Sequence, residues 1–268
     1  MKKAALAIVM LNFAFVFIIA LSSYFTGVIS TVIYYLAFIV PIVAYFACRS
    51  KAKIELSPPR FTISGENARL GAPLVFPTIA VVFVISFVTS LIVSRIGVDS
   101  VTDVSGNLAT VILTKALLTA ILEEMLFRYI PLSVLSPHSR RGAVILSATF
   151  FALAHCNLYQ LFYAFVAGVI LAVTDLLSDS ILPSMVIHFL NNLVSIFWLR
   201  YGASETFSTW YTVALLSLGA ISVIPIMVYR GKYKSGLARV FRNDGRIEFT
   251  LESTVFALMM LALTILSI

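Results

Sequence analysis

Residues 121–131 read ILEEMLFRYIP, two glutamates and an arginine set in a stretch that is otherwise apolar. Either a soluble helix turns its charges to water there, or a membrane helix carries charges that need partners. The surroundings decide it. The apolar run extends over 107–130, and comparable runs recur from end to end of a 268-residue chain that is 60% hydrophobic and only 12% charged. Ordinary soluble domains have about half and about a quarter. Runs of about 18 to 24 residues cross a hydrocarbon core roughly 30 Å thick, and in lipid they must be helical, because every backbone polar group needs an internal partner. The fold class is therefore an all-α, polytopic transmembrane bundle of eight to nine helices.

Spans are expected at 4–21, 27–47, 72–93, 107–130, 143–156, 159–177, 181–199, 211–229 and 254–268. The last has only 15 residues, and the sequence leaves open whether it crosses. No repeat or low-complexity linker divides the chain, so residues 1–268 are taken as one integral membrane domain. The start, MKK before an apolar run, resembles a signal peptide. A second long span follows after a short turn, which favours an uncleaved first helix.

The net charge of +7 matters through its distribution. With the N-terminus inside, 16 of the 19 basic residues fall on the cytoplasmic side; Arg95 and Arg200 fall outside and Lys115 lies within a span. This follows the positive-inside rule. The basic balance thus reports topology and contact with anionic lipid rather than a nucleic-acid partner. An integral, multi-pass protein of the plasma membrane with a cytoplasmic N-terminus is expected. Residues 230–253 are expected to include an interfacial helix whose apolar face holds Leu237, Val240 and Phe241. Cys48 and Cys156 end spans on opposite faces, so no disulfide is expected.

A charged side chain near the bilayer centre costs about 3 kcal/mol even on the mildest scale. Glu124 and Arg128 are four apart, acid first, the favourable order for an ion pair on one helical face. Glu123 lies about 100° around the helix and has no cation at helical spacing. It is the carboxylate available as a general base. In the fifth span Phe151 and His155 are four apart; in the seventh, His188 and Asn192 share a stripe that Asn191 does not. Each of these polar groups can equally be a helix-packing hydrogen bond. If they converge, Glu123 and His155 can activate water, and His188 with Asn192 can donate to the oxyanion formed from a carbonyl. Asp175 and Asp179 are read as flanking a cytoplasmic turn, and Lys115 is given no role.

The ordered set Glu123-Glu124-x-x-x-Arg128, Phe151-x-x-x-His155 and His188-x-x-x-Asn192 resembles the motifs of the CPBP family, which holds type II CAAX prenyl endopeptidases and abortive-infection proteins. The resembling core covers about residues 107–200. The resemblance implies an intramembrane, metal-independent glutamic endopeptidase with a cavity open to the cytoplasm. It makes Glu123, His155, His188 and Asn192 catalytic and Glu124 and Arg128 supporting, with no metal and no cofactor. The implied partners are the lipid bilayer and a membrane-associated protein or peptide substrate, prenylated in the CAAX case, with no nucleic acid. The alternatives are a catalytically idle immunity or scaffold protein, a zinc protease using the same His and Glu residues, and a proton-coupled transporter.

Overall fold

In the computed structural model the residues described are 2–49, 56–62, 65–93, 95, 104–156, 158–242, 245, 247, 254 and 258. Among them the regular elements are helical, and one isolated parallel bridge joins Arg60 to Ser180. Helices α1 (Lys2–Ser22) and α2 (Gly27–Cys48) form a hairpin. The turn between them needs a left-handed residue, supplied by Gly27 at φ 63°. A short α3 (Gly65–Gly71) passes through a 3₁₀ turn (Ala72–Leu74) into α4 (Val75–Val93). Next come α5, a continuous helical run over 108–135, then α6 (Arg140–Ala154), α7 (Leu158–Ser178) and α8 (Leu182–Tyr201). The run closes with α9 (Glu205–Ile221), α10 (Val223–Val228) and α11 (Arg230–Val240).

Six stretches are long and apolar enough to cross a membrane, by length and composition: Ala5–Ser22, Gly27–Cys48, Arg69–Ile92, Gln160–Ser178, Leu182–Tyr201 and Glu205–Val228. Helix α5 falls where the fourth span was expected. Helix α6 has 15 residues, which at about 1.5 Å per residue cover roughly three quarters of the hydrocarbon thickness. It is short because the chain turns at Cys156, whose φ is 46°. The eighth span starts earlier than expected, at Glu205, because the Ser204 hydroxyl accepts the Phe207 N–H at 3.4 Å and fixes the helix start. The ninth span lies outside the described residues apart from 254 and 258.

Helix α5 departs from α geometry twice, at Ile112–Leu118 and Met125–Tyr129, where the turns widen to π. The second has a local cause. Pro131 lacks the N–H that would bond the Phe127 carbonyl four residues earlier, and its ring crowds that carbonyl. The turn opens so that Ile130 N–H bonds Met125 O instead, and the Ser147 hydroxyl of α6 donates to the freed Phe127 oxygen. A buried carbonyl must find such a partner. Helix α6 then packs on α7 through its small residues: a Cβ placed on Gly168 would lie 2.9 Å from the Ala148 Cα.

The two ends of the bundle differ. At one end Ser57 N–H bonds Ser133 O at 2.9 Å, Arg60 N–H bonds Asp179 O at 3.2 Å, and the Tyr233 hydroxyl donates to Leu70 O at 2.6 Å. This basic end carries Arg49, Arg60, Arg69, Arg140, Arg141, Arg230, Lys232, Lys234 and Arg239 on the helix ends and loops that meet there. The opposite end gathers the α1–α2 turn, Arg95, the start of α5 and the end of α8; there Arg200 Nη2 donates to Gly106 O at 2.9 Å. Helix α11 occupies the place of the expected interfacial helix. Tyr233, Gly236 and Val240 are buried, whereas Leu237 and Phe241 are exposed. Gly236 sits against the tip of the Leu177 side chain, which a Cβ would displace.

Candidate active site

A cavity of about 770 Å³ opens inside the bundle, and Glu123, His155, His188 and Asn192 all line it. Three helices supply them. Glu123 stands on α5 just before the second widened turn, His155 caps the C-terminus of α6, and His188 and Asn192 lie one turn apart on α8. Asn191 lines the cavity too, although it is off their stripe, because the cavity wraps around that side of α8.

His188 is the centre of the polar contacts. Its Nδ1 lies 2.7 Å from Glu124 Oε1 and its Nε2 lies 3.4 Å from Glu123 Oε2. Glu123 therefore has a cation-forming partner, supplied across the fold. Glu124 Oε1 also lies 3.5 Å from Arg128 Nη1, with both side chains fully buried. The expected four-residue pair exists, but it is one link of a chain: Arg128, Glu124, His188, Glu123. A carboxylate that accepts from Nδ1–H holds the ring so that Nε2 faces Glu123.

His155 is oriented by its own helix. Its Nδ1 is 2.7 Å from the Phe151 carbonyl. A carbonyl only accepts, so Nδ1 carries the proton and Nε2 is the remaining basic nitrogen. The Phe151 ring has a second task. The Arg128 guanidinium carbon sits 3.8 Å from its centroid, and the rings of His155 and His188 meet it edge-on at 4.7 Å and 5.6 Å. One aromatic side chain thus covers a buried cation and braces both histidines.

Two residues escaped the sequence reading. Tyr34 of α2 lines the same cavity, but a tyrosine in an apolar span carries no signal of its own. Asp175 was read as flanking a turn, and it is fully buried. The group faces Ser184, whose hydroxyl and backbone are its nearest polar neighbours, and lies within electrostatic reach of Glu124 and Arg128. An acid inside the apolar run of α7 was the available clue. Asp179, by contrast, is exposed and pairs with Arg60 at 3.2 Å.

The cavity's lining residues on α5, α7 and α8 run from Thr110 to Glu123, Gln160 to Leu171 and Ile187 to Leu199. These stretches lead away from the basic end. On the basic side of Glu123, the fully buried Glu124, Arg128, Asp175 and Ser184 lie behind the cavity. Among the described residues no three His, Cys, Asp or Glu side chains are grouped as metal ligands.

No curated protein and no solved structure matches the chain. Six apolar helices together with the family match below make the chain an integral, multi-pass membrane protein. Residues 105–194, about a third of the chain and all of the motif residues, match the family model described as Rce1-like, type II CAAX prenyl endopeptidase Rce1-like, which supports the assignment to the CPBP family.

Proposed function

We propose that the cavity is the hydrolytic site of an intramembrane endopeptidase that cleaves a peptide bond of a membrane-associated protein or peptide. The observation that carries this reading is the meeting of Glu123 with His188 on one cavity wall that His155 and Asn192 also line. The family match supports a CAAX-type intramembrane protease in general; the roles below are assigned from chemistry.

Glu123 accepts a proton from a water in the cavity, with His155 Nε2 as the second acceptor that orients it. The water oxygen bonds to the carbonyl carbon of the scissile peptide, and the carbonyl π pair becomes the oxyanion. His188 Nε2, the ring nitrogen on the Glu123 side, and the Asn192 amide are the donors to that oxyanion. As the C–N bond breaks, the proton held by Glu123 passes to the leaving amine. Arg128 and Phe151 touch no substrate in this scheme. They hold Glu124, and through it His188.

The test is purified protein in lipid, wild type and Glu123→Gln, incubated with membrane-anchored peptides, prenylated and unmodified, with products identified by mass spectrometry. Glu123-dependent cleavage that survives chelator is the expected result. Loss on chelation with recovery on adding zinc would transfer the water activation to a metal. A folded wild type that cleaves no peptide supports the idle reading.

A further inference from the structure

We infer that a smaller apolar pocket beside the hydrolytic site is its specificity pocket, which takes a bulky aliphatic or aromatic side chain from a residue flanking the scissile bond. This rests on the hydrolysis proposed above and adds the substrate preference. The pocket has a volume of about 190 Å³ and lies between α1, α2, α5 and the end of α6. Its apolar walls are Phe15, Ile19, Phe38, Phe127 and Ala154. The polar residues Tyr34, Glu123, His155 and Gln160 line both this pocket and the large cavity. The groups assigned to water activation therefore stand where the two spaces meet. His188 and Asn192, assigned to the oxyanion, line the large cavity and not the pocket. A peptide carbonyl that points at His188 and Asn192, with its carbon facing the water between Glu123 and His155, brings a neighbouring side chain to that junction.

The walls are ordered before a substrate arrives. The Phe15 ring is held between Phe38 at 4.7 Å and Phe127 at 5.2 Å, centroid to centroid, and Tyr34 meets Phe38 edge-on at 5.4 Å. Rings that brace one another need no rearrangement to receive a ligand group, which lowers the cost of binding. One water needs about 10–15 Å³ on this volume scale, so the pocket holds on the order of a dozen, yet its walls offer water polar partners only at the junction. A leucine or phenylalanine side chain fills that space without stranding a polar group. A charged or amide side chain would lose its hydration there. Phe15, Ile19 and Phe38 stand on α1 and α2, outside the matched residues 105–194. The preference is thus set in part by helices that precede the motif-bearing core.

The test compares kcat/KM for membrane-anchored peptides that differ only at the two residues flanking the cleaved bond, with alanine, leucine, phenylalanine or asparagine at each in turn. A rise of at least about 10-fold from alanine to leucine or phenylalanine at one of the two positions is expected, with asparagine no better than alanine. Ile19→Phe fills the pocket from α1 and should cut that ratio at least about 10-fold. Equal cleavage of all the peptides overturns the inference. So does a ratio that Ile19→Phe leaves unchanged while raising the thermal midpoint, the behaviour of a packing void. A second arm does not need catalysis. The peptide carries a diazirine analogue of leucine at successive positions, is irradiated with wild type and Glu123→Gln in lipid, and the adducts are mapped by mass spectrometry. Adducts at Phe15, Ile19, Phe38 or Phe127 are expected; adducts only on the outer faces of the helices, or none, contradict the pocket. A wild type that cleaves nothing yet gives the pocket adducts would strike the hydrolysis and keep the pocket.

Discussion

At the scale of single residues, the polar floor separates groups that hold the fold from groups assigned to chemistry. Glu124 balances the buried Arg128, so Glu124→Gln leaves an uncompensated cation and should cost about 3–5 kcal/mol, read as a lowered thermal midpoint in detergent. Adding Arg128→Met should restore much of it; a double variant as unstable as the single would refute the pairing. Phe151→Leu removes the ring beneath the guanidinium, an interaction worth about 2 kcal/mol when desolvated, and should lower stability and activity together. The Glu124–Arg128 link was legible because helical spacing encodes it. The Glu124–His188 contact spans 64 positions in sequence, and no local pattern shows which carboxylate meets which ring nitrogen.

At the scale of elements, the widened turn in α5 ties a proline in one helix to a serine in the next. Ser147→Ala strands the Phe127 carbonyl at a cost of about 1–3 kcal/mol. With Pro131→Ala present, the residue 131 N–H can bond that carbonyl, and the serine substitution should become nearly neutral. Equal costs in both backgrounds would break the argument. Gly168→Val should unfold or loosen the α6–α7 contact, because the nearest obstacle is the Ala148 backbone, at 2.9 Å from even a Cβ; an unchanged thermal midpoint would contradict this. The apolar runs predicted where helices lie, since hydrocarbon allows little else. They gave the short extent of α6, expected over 143–156 and found over Arg140–Ala154, but not its cause, the turn at Cys156.

At the scale of the whole molecule, the cavity lies on the side of Glu123 away from the basic end, with the buried Glu124, Arg128, Asp175 and Ser184 behind it. The motif residues were legible as candidates through their spacing and depth; their convergence needed the α6 turn and the widened α5. Tyr34 and Asp175 show the limit, since the groups that bring them to the site, Glu123 and Ser184, stand on other helices. The central claim is that Glu123 drives hydrolysis, and Glu124→Gln already probes the structural alternative. The most direct measurement is kcat/KM of Glu123→Gln against wild type on the same membrane-anchored peptide, with the thermal midpoint recorded for both. The account predicts a loss of at least about 10²-fold, the contribution of a positioned general base, with the fold intact. A variant that stays folded and cleaves at the wild-type rate would contradict it.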